Sequence, residues 1–345
     1  MEGITFFSGL WFCLVAVLIA GYFILDGFDL GAGVLYPFIA KTKTEKAVIR
    51  RSIGPVWDGN EVWLLTAGGA LFAAFPPAYA TTFSGFYLAI MLVLFGLIVR
   101  AVSLEYRVHD EKWGGLWNLL FFLGSLLPAL LFGVAIGNVY AGIPMSALGD
   151  YTGFPLFGLI TPFTLLCGVL GLLMFMAAGA SWIAQKAPKP SELQERAAKI
   201  RTILQICTLG VFVIVTVYAL FGINLEMLGG LAAILRYLFA ALFVVALIAA
   251  IFFGKKGNDL FSFIAQSASA FVLVGLFAAS MFPNLVIASA NSVGQNITIM
   301  NAANSELTLM WMTIITCVGL PLVLLYHVIS YRTFRGRLTD EDLDY

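Results

Sequence analysis

Residues Gly54–Pro76 read GPVWDGNEVWLLTAGGALFAAFP, and this stretch places two acids at the start of an otherwise apolar run. Asp58 and Glu61 are three residues apart, so on a helix their side chains share one face. The run that follows from Leu64 is stable only inside a protein core or in lipid. The fold must therefore accommodate two carboxyl groups at the start of a hydrophobic segment.

Two further charged features lie in the neighbouring apolar segments. The preceding segment contains DGFDLGAG, which places Asp26 and Asp29 at the same three-residue spacing, and Arg100 lies near the end of the following one. Three adjacent hydrophobic segments thus carry four acids and one base. This is the chemistry that the fold and the function have to explain.

The composition indicates a membrane protein. Hydrophobic residues make up 61% of the 345 residues and charged residues 11%, with a mean hydropathy of +0.97. Several apolar runs exceed the roughly 18 to 20 residues that cross about 30 Å of hydrocarbon. We therefore predict an all-α polytopic membrane protein. The four cysteines fall inside the apolar runs without CxxC spacing, which favours apolar packing over disulfides or metal binding.

Apolar runs between polar breaks predict nine transmembrane helices. We expect residues 1–140 to form a first four-helix bundle that holds the embedded acids, and residues 157–282 to form a second four-helix bundle. Residues 308–345 then form a ninth helix and a tail. The expected spans are 6–39, 57–75, 79–101, 116–140, 157–184, 202–223, 231–253, 259–281 and 308–330.

The distribution of positive charge among the loops predicts the orientation. Seventeen of the 19 Lys and Arg residues fall in alternate connections or in the C-terminal tail, and the other set of connections carries none. Loops rich in Lys and Arg stay in the cytoplasm. The N-terminus of this multi-pass protein is therefore expected outside and the C-terminus in the cytoplasm.

The acids are predicted to lie in the cytoplasmic half of the membrane. Asp26 and Asp29 precede Lys41 by 12 to 15 residues, which places them roughly 18 to 23 Å from the basic loop. An ionised acid at mid-bilayer costs about 2.5 to 3.5 kcal/mol, so each must face protein, water or a counter-ion. Two interpretations are open. The acids either form a chain of proton carriers, or they only pair with Arg100 and cap the helix of the second predicted span.

Cofactor ligands are scarce in this chain. It has two histidines, His109 in a cytoplasmic loop and His327 near the cytoplasmic end of the last span, both expected at the surface or the membrane interface. Several haems would need more embedded ligands than these two supply. No Walker A, dinucleotide-binding or nucleophile motif is present either. Any redox cofactor is therefore expected in another chain, and we expect no metal site and no nucleic-acid partner here.

Several motifs together resemble subunit II of the cytochrome bd-type quinol oxidases. They are DGFDLGAG from Asp26, the stretch Gly54–Pro76, FSGFYLA from Phe83, the region of Arg100, and the tail motif from Thr339 to Leu343. The motifs of the first three spans are long and specific. Beyond about residue 140 the resemblance consists mostly of hydropathy and spacing.

The resemblance implies a heterodimer in which a partner, subunit I, carries haem b558, haem b595 and haem d and oxidises quinol. Subunit II then supports the haem site and carries a proton path from the cytoplasm toward oxygen reduction, so the complex generates a proton-motive force. We assign Asp26, Asp58 and Glu61 to that path. The residues assigned to support of the haem site are Asp29, Arg100, Trp57, Asn60 and Trp63.

Other roles remain compatible with the residues alone. A proton-coupled secondary transporter would also use embedded acids and small-residue helices. A structural partner whose acids only pair at an interface is a third interpretation. Small single-span accessory subunits and a structurally bound quinone are further components that the family leaves open for this chain.

Overall fold

The computed structural model describes residues 3–223, 230–339 and 342. Within these ranges the chain forms twelve α-helices, a 3-10 turn at Phe157–Leu159 and two short antiparallel strands. The helices are α1 (Phe6–Ile39), α2 (Lys43–Ile53), α3 (Trp57–Ala74), α4 (Pro76–Gly85), α5 (Tyr87–His109), α6 (Gly114–Ala141), α7 (Pro162–Lys186), α8 (Glu192–Gly222), α9 (Leu231–Lys255), α10 (Asp259–Met281), α11 (Ile299–Ala302) and α12 (Glu306–Thr333). The strands are β1 (Asn284–Val286) and β2 (Ile297–Thr298). Part of the tail motif after Thr339 lies outside the described residues.

Eight of the helices in the described ranges are long and apolar enough to cross a membrane, which confirms the all-α polytopic class. They are α1, α5, α6, α7, α8, α9, α10 and α12. Helix α3 has 18 residues but is not among them. Its first two turns contain Asp58, Asn60 and Glu61, and these polar groups lower its mean hydropathy. By length and composition, eight spans are supported within the described residues, and a ninth span at α3 stays a prediction.

The helices differ from the expected spans at two places. The span expected at 79–101 is interrupted at Phe86, where α4 ends and α5 begins. At this break a Cβ on Gly85 would lie 2.7 Å from the Cβ of Tyr151, so the loop after α6 packs directly on the backbone of Gly85. The helix that contains the span expected at 202–223 begins ten residues earlier, at Glu192, because the Ser191 hydroxyl accepts a hydrogen bond from the Gln194 N–H and caps α8.

The basic connection after α1 is also helical. Helix α2 begins with a capping box, in which the Thr42 hydroxyl accepts from the Glu45 N–H and the Glu45 carboxylate accepts from the Thr42 N–H. Hydropathy alone does not detect such a helix because its residues are mostly polar. It is a short amphipathic element that buries Val48, Ile49 and Ile53 against the ends of the long helices.

Helices α1 and α7 cross at very close range in the centre of the molecule. Gly31 of α1 faces Gly179 of α7, and a Cβ on Gly179 would lie 2.3 Å from the backbone nitrogen of Ala32. Only glycine permits this approach, which is the small-residue packing typical of membrane helices. Around this crossing α1 also contacts α3, α6 and α10, while α7 contacts α6, α8 and α10.

The basic connections lie together at one end of the molecule, here called the basic end. It comprises α2, residues 109–113, residues 186–191, residues 255–258 and the chain after α12. Arg196 forms an ion pair with Glu45, and the indole N–H of Trp182 donates to the Ser52 carbonyl at 3.0 Å. Arg337 reaches the carboxylate of Asp259 at 2.8 Å. Contacts between separate connections therefore close this end.

The opposite end is closed by the connections that carry no Lys or Arg. The loop after α6 pairs with the segment after α10, since the N–H of Ile143 donates to the carbonyl of Ile287 at 2.9 Å. The Thr81 hydroxyl donates to the Gly149 carbonyl at 2.8 Å, and the Asn304 amide donates to the Ala73 carbonyl at 3.0 Å. Each set of connections thus occupies one end of the helical body.

The separation of the two ends predicts opposite-side labelling. We expect a cysteine at Lys112 and a cysteine at Leu148, each alone in a variant with the four native cysteines replaced by alanine, to react from opposite faces of the membrane. Both positions are exposed, and Leu148 is 91% exposed. The measurement is labelling of sealed vesicles by an impermeant maleimide. Reaction of both cysteines from one face would contradict this topology.

Candidate functional site

Arg100 of α5 joins three helices through one buried guanidinium. It is fully buried, and its Nη2 donates to Asp26 Oδ1 of α1 at 2.7 Å and to Glu61 Oε1 of α3. The Asp26 side chain is also fully buried, while the Glu61 side chain is 25% exposed. The embedded base predicted from sequence therefore pairs with two of the four embedded acids at once.

Asp29 is held by an amide. Its Oδ2 accepts a hydrogen bond from the side-chain N–H of Asn60 at 2.8 Å, and Asn60 also donates to the Leu25 carbonyl at 3.0 Å. The hydroxyl of Tyr331 on α12 donates to Asn60 Oδ1 at 3.1 Å. Asn60 thus connects α1, α3 and α12, and all of its described contacts are buried or partly buried.

Four buried atoms of this cluster have hydrogen-bonding capacity that the described part of the chain does not use. They are Asp26 Oδ2, Asp29 Oδ1, Arg100 Nε and Arg100 Nη1. Buried polar atoms in proteins almost always have a partner, so unused capacity of this kind marks a site where water, a proton or a partner group is handled. The cluster also contains three carboxyl groups for one guanidinium.

Asp58 does not join this cluster. It lies in the first turn of α3 and is exposed on the surface of the isolated chain, although Glu61 one turn later turns inward to Arg100. The three-residue spacing predicted a shared face, and it does keep the two carboxyl groups close enough to interact electrostatically. Trp57, beside Asp58, is partly buried against the core at the basic end.

His327 is buried, whereas the sequence predicted a surface or interfacial position. It is 9% exposed, its Nε2 accepts a hydrogen bond from the Trp63 indole at 3.2 Å, and its Nδ1 lies 2.9 Å from the Val323 carbonyl. These partners require the tautomer with the proton on Nδ1. The prediction failed because it considered only how far along α12 His327 lies. It did not consider that His327 lies on the side of α12 that packs on α3.

Two tyrosines beside the acids were missed. Tyr331 donates to Asn60 across a sequence separation of 271 residues, so no local signal marks it. Tyr22 is 1% exposed and precedes Asp26 by four residues on α1, which places both side chains on one face. That spacing was available from the sequence and identifies Tyr22 as a neighbour of the cluster.

A second buried ion cluster at the basic end was also missed. Asp259, 3% exposed, accepts from Arg201 Nη1 at 2.9 Å, from Arg337 Nη2 at 2.8 Å and from the Gln194 amide at 3.2 Å. These groups come from α8, α10 and the chain after α12. The partners are distant in sequence and have no common motif, so a sequence pattern does not predict the cluster.

Among the described residues, no group of three or more His, Cys, Asp or Glu side chains is placed to hold a metal ion. Both ring nitrogens of His327 are engaged inside this chain. His109 is exposed at the last residue of α5. The four cysteines are free and lie on different helices.

The architecture defines an integral membrane protein in which buried acids from α1 and α3 meet an arginine of α5. The family described as cytochrome bd terminal oxidase subunit II matches residues 7–334. The chain belongs to this family, as the motifs of the first three spans had suggested.

Curated relatives are similar over almost their whole length. "Cytochrome bd-I ubiquinol oxidase subunit 2" of Escherichia coli K12 is 34% identical, with 97% of this chain and 96% of that protein aligned. "Probable cytochrome oxidase subunit 2" of Haemophilus influenzae is 36% identical, over 98% of this chain and 97% of that protein. "Cytochrome bd ubiquinol oxidase subunit 2" of Bacillus subtilis is 34% identical, over 96% and 97%.

The fold is shared with a solved structure. A chain of the bd oxidase from Geobacillus thermodenitrificans superposes with a TM-score of 0.72 at 16% sequence identity, covering 96% of this chain and 100% of that chain. The likeness confirms the helical arrangement. It carries no information about individual side chains because the sequence identity is low.

Removing Arg100 alone is expected to destabilise the chain. In Arg100→Met the carboxylates of Asp26 and Glu61 lose their buried cation, a change that costs about 3 to 5 kcal/mol. Adding Asp26→Asn and Glu61→Gln removes the unpaired charges, so this triple variant should recover most of the loss. The measurement is unfolding in mixed micelles over a graded SDS titration, followed by tryptophan fluorescence.

The control for this experiment is Arg332→Met, an exposed arginine at the basic end whose loss should change stability by less than about 0.5 kcal/mol. A triple variant that is less stable than Arg100→Met would show that the side chains contribute through shape and not through charge.

Proposed function

We propose that this chain is the non-haem subunit of a cytochrome bd-type terminal oxidase, an assembly that couples quinol oxidation to reduction of oxygen to water. The relatives named as ubiquinol oxidase subunit 2 support this activity for the complex. The observation that carries the role of this chain is the buried cluster around Arg100. The cluster supports this role because it holds three proton-binding carboxyl groups in the interior of a membrane protein.

The catalytic cofactors belong to the partner in this proposal. Subunit I carries haem b558, haem b595 and haem d, and these groups supply electron transfer and oxygen reduction. The present chain supplies shape and charge: Arg100 and Asn60 hold Asp26, Glu61 and Asp29 in fixed positions. Trp57 packs the start of α3 against the core at the basic end, and Trp63 connects α3 to α12.

Nine spans are proposed, with α3 as the ninth. In its first two turns, Asn60 is buried and hydrogen-bonded to α1 and α12, and Glu61 pairs with Arg100, so the helix can cross the membrane despite its low hydropathy. Residues 1–140 and 157–282 then form two four-helix bundles, and residues 308–345 the additional helix and tail. By the loop charges, the basic end faces the cytoplasm of a bacterial inner membrane and the N-terminus lies outside.

The exposed face of α3 is proposed to contact subunit I. Asp58 is exposed there beside Val62 and Leu65, which are 45% and 71% exposed. An ionisable side chain at membrane depth is rarely in contact with lipid, because the cost is a few kcal/mol. A protein partner that covers this face removes that cost and brings Asp58 into the interior of the complex.

The proposed proton path begins at the basic end and runs through Asp58 and Glu61 to Asp26. Asp58 precedes Glu61 by about one helical turn. Glu61 Oε1 and Asp26 Oδ1 both accept from the same Arg100 nitrogen, so they lie at most two hydrogen-bond lengths apart, roughly 6 Å. One water molecule spans such a gap. Three carboxyl groups facing one guanidinium also favour retention of a proton in the cluster.

The visible spectrum of the purified native complex tests the assignment to an oxidase. We expect haem bands together with a second, haem-bearing chain and quinol-driven oxygen consumption. His327→Gln should leave haem content unchanged, since both ring nitrogens already bond within this chain. Trp63→Phe is the matched control, because it removes the same hydrogen bond and keeps the imidazole.

Loss of a haem band in His327→Gln but not in Trp63→Phe would make this chain a ligand donor. A colourless complex that moves a solute with protons would instead favour a secondary transporter.

Replacing Asp58 tests the path. Asp58→Asn keeps the shape of the side chain but cannot carry a proton, so oxygen consumption per haem should fall on the order of ten- to a hundredfold. Asp58→Glu should retain more activity than Asp58→Asn at equal haem content. The measurement is quinol-driven oxygen consumption in liposomes, with haem content determined in parallel.

Asp150→Asn, an exposed acid at the opposite end, is the control and should keep full activity. Asp58→Leu separates assembly from turnover, since it should lower haem content if Asp58 only forms an interface contact. Full activity of Asp58→Asn would exclude this residue from the path and leave Glu61 and Asp26 as carriers.

A further inference from the structure

The hydroxyl of Tyr22 is a buried polar group that the proposed proton path does not yet include. Tyr22 lies on α1 and is 1% exposed. Its hydroxyl oxygen has no hydrogen-bond partner among the described residues. Buried hydroxyls in proteins almost always have a partner, because an unpartnered one gives up its hydrogen bonds to water without replacement. The polar groups within its reach therefore decide what this hydroxyl does.

The side chains that pack around the Tyr22 ring are largely aromatic. The ring lies edge-on to Phe132 of α6 with the ring centroids 5.2 Å apart, and 6.0 Å from the ring of Phe23. Trp63 of α3 belongs to the same core cluster. A phenyl ring offers no conventional hydrogen-bonding group, and an indole offers only a donor. The acceptors for the hydroxyl therefore come from the cluster around Arg100.

Asp26 is the acid of that cluster that lies next to Tyr22 on the same helix. It follows Tyr22 by four residues, about 6 Å along the axis of α1, so the two side chains share one face. The Tyr22 hydroxyl is close enough to interact electrostatically with Asp26, Glu61 and Arg100, and Asp26 has the largest effect of the three. Asp26 is fully buried as well. Both side chains are therefore shielded from solvent.

The two carboxyl oxygens of Asp26 have different surroundings. Oδ1 accepts a hydrogen bond from Arg100 Nη2 at 2.7 Å, whereas Oδ2 has no hydrogen-bond partner among the described residues. A proton on Oδ1 would compete with the guanidinium N–H, so a proton that reaches Asp26 binds to Oδ2. Oδ2 and the Tyr22 hydroxyl are thus two buried oxygen atoms with unused hydrogen-bonding capacity on one face of α1.

We infer that Tyr22 is a positioning residue for the proton on Asp26, which its hydroxyl holds on Oδ2. When Asp26 is ionised, the Tyr22 hydroxyl donates to Oδ2. When a proton arrives on Oδ2, the hydroxyl turns, accepts from the new O–H of Asp26 and keeps its own proton. A tyrosine hydroxyl is both a donor and an acceptor, so it stabilises either form of the carboxyl. The inference rests on the proposed path through Asp26 and deepens it.

Four variants of the complete complex separate this role from packing. Tyr22→Phe removes only the hydroxyl and keeps the ring contact with Phe132. Tyr140→Phe is the matched control, because Tyr140 is a partly buried tyrosine of α6 whose ring stacks on Phe163, outside the cluster. Asp26→Asn removes the proton-binding group. The double variant Tyr22→Phe/Asp26→Asn completes a cycle that shows whether the hydroxyl acts through Asp26.

The first measurement is quinol-driven oxygen consumption per haem in liposomes. Tyr22→Phe should lower the rate about threefold to tenfold, the effect of one lost hydrogen bond, and Tyr140→Phe should keep the native rate. Because the hydroxyl acts through Asp26, the double variant should be no slower than Asp26→Asn. If Asp26→Asn is slow, full activity of Tyr22→Phe would overturn the inference, as would an equal loss from Tyr22→Phe in both backgrounds.

The second measurement does not depend on turnover. Infrared difference spectra between acidic and alkaline pH report the C=O band of carboxyl groups that take up a proton, and the band missing in Asp26→Asn belongs to Asp26. Tyr22→Phe should shift this band because the hydrogen bond at Oδ2 is lost, whereas Tyr140→Phe should leave it in place.

The two measurements distinguish a failure of the inference from a failure of the proposed function. Full activity of Asp26→Asn would remove Asp26 from the proposed path, and the infrared band alone would then decide the role of Tyr22. A band that shifts in Tyr22→Phe supports the inference in either case. An Asp26 band that is absent from the native complex, or that stays in place in Tyr22→Phe, overturns it.

Discussion

The shared contact of Asp26 and Glu61 with one Arg100 nitrogen is the constraint on which the first half of the fold depends. An isolated charge at membrane depth costs about 2.5 to 3.5 kcal/mol, so neither acid nor base is tolerated alone. The three groups lie on α1, α3 and α5, and they neutralise one another only when these helices pack side by side. Close packing in turn requires small residues, such as Gly21, where a Cβ would lie 2.2 Å from the Trp63 ring.

The second ion cluster, around Asp259, lies at the basic end and connects other elements of the fold. Asp259 of α10 forms ion pairs with Arg201 of α8 and with Arg337 of the chain beyond α12. It therefore connects the end of the chain to α8 and α10. Both clusters follow one rule, that a buried charge is stable only with partners in good geometry. The two clusters differ in how completely their buried polar atoms are hydrogen-bonded. Around Arg100, four buried atoms have no hydrogen-bond partner among the described residues, whereas around Asp259 only Arg201 Nε has none.

Hydropathy predicted the long helices well because crossing hydrocarbon demands a long apolar run whatever the helix packs against. It failed for the start of α8, whose mostly polar residues read as a loop although the helix begins at Glu192. The span expected at 57–75 coincides with α3, although α3 is not among the eight helices apolar enough to count as membrane spans. The embedded acids and Arg100 were predicted as a group, but not which acids pair with it. The partners of Asp259 lie 58 and 78 residues away, and no local pattern connects such positions.

The contrast between Asp58 and Glu61 explains why this chain is only part of a functional unit. Both acids belong to α3, which is not among the helices apolar enough to count as membrane spans, yet only Glu61 pairs with a cation among the described residues. Asp58 remains exposed on a face with Val62 and Leu65, a combination that suits neither lipid nor water. A surface of this kind is stable against a protein partner that brings polar groups to membrane depth. Under the proposed contact of α3 with subunit I, the low hydropathy of α3 follows from this position, with one acid turned inward and the other toward the partner.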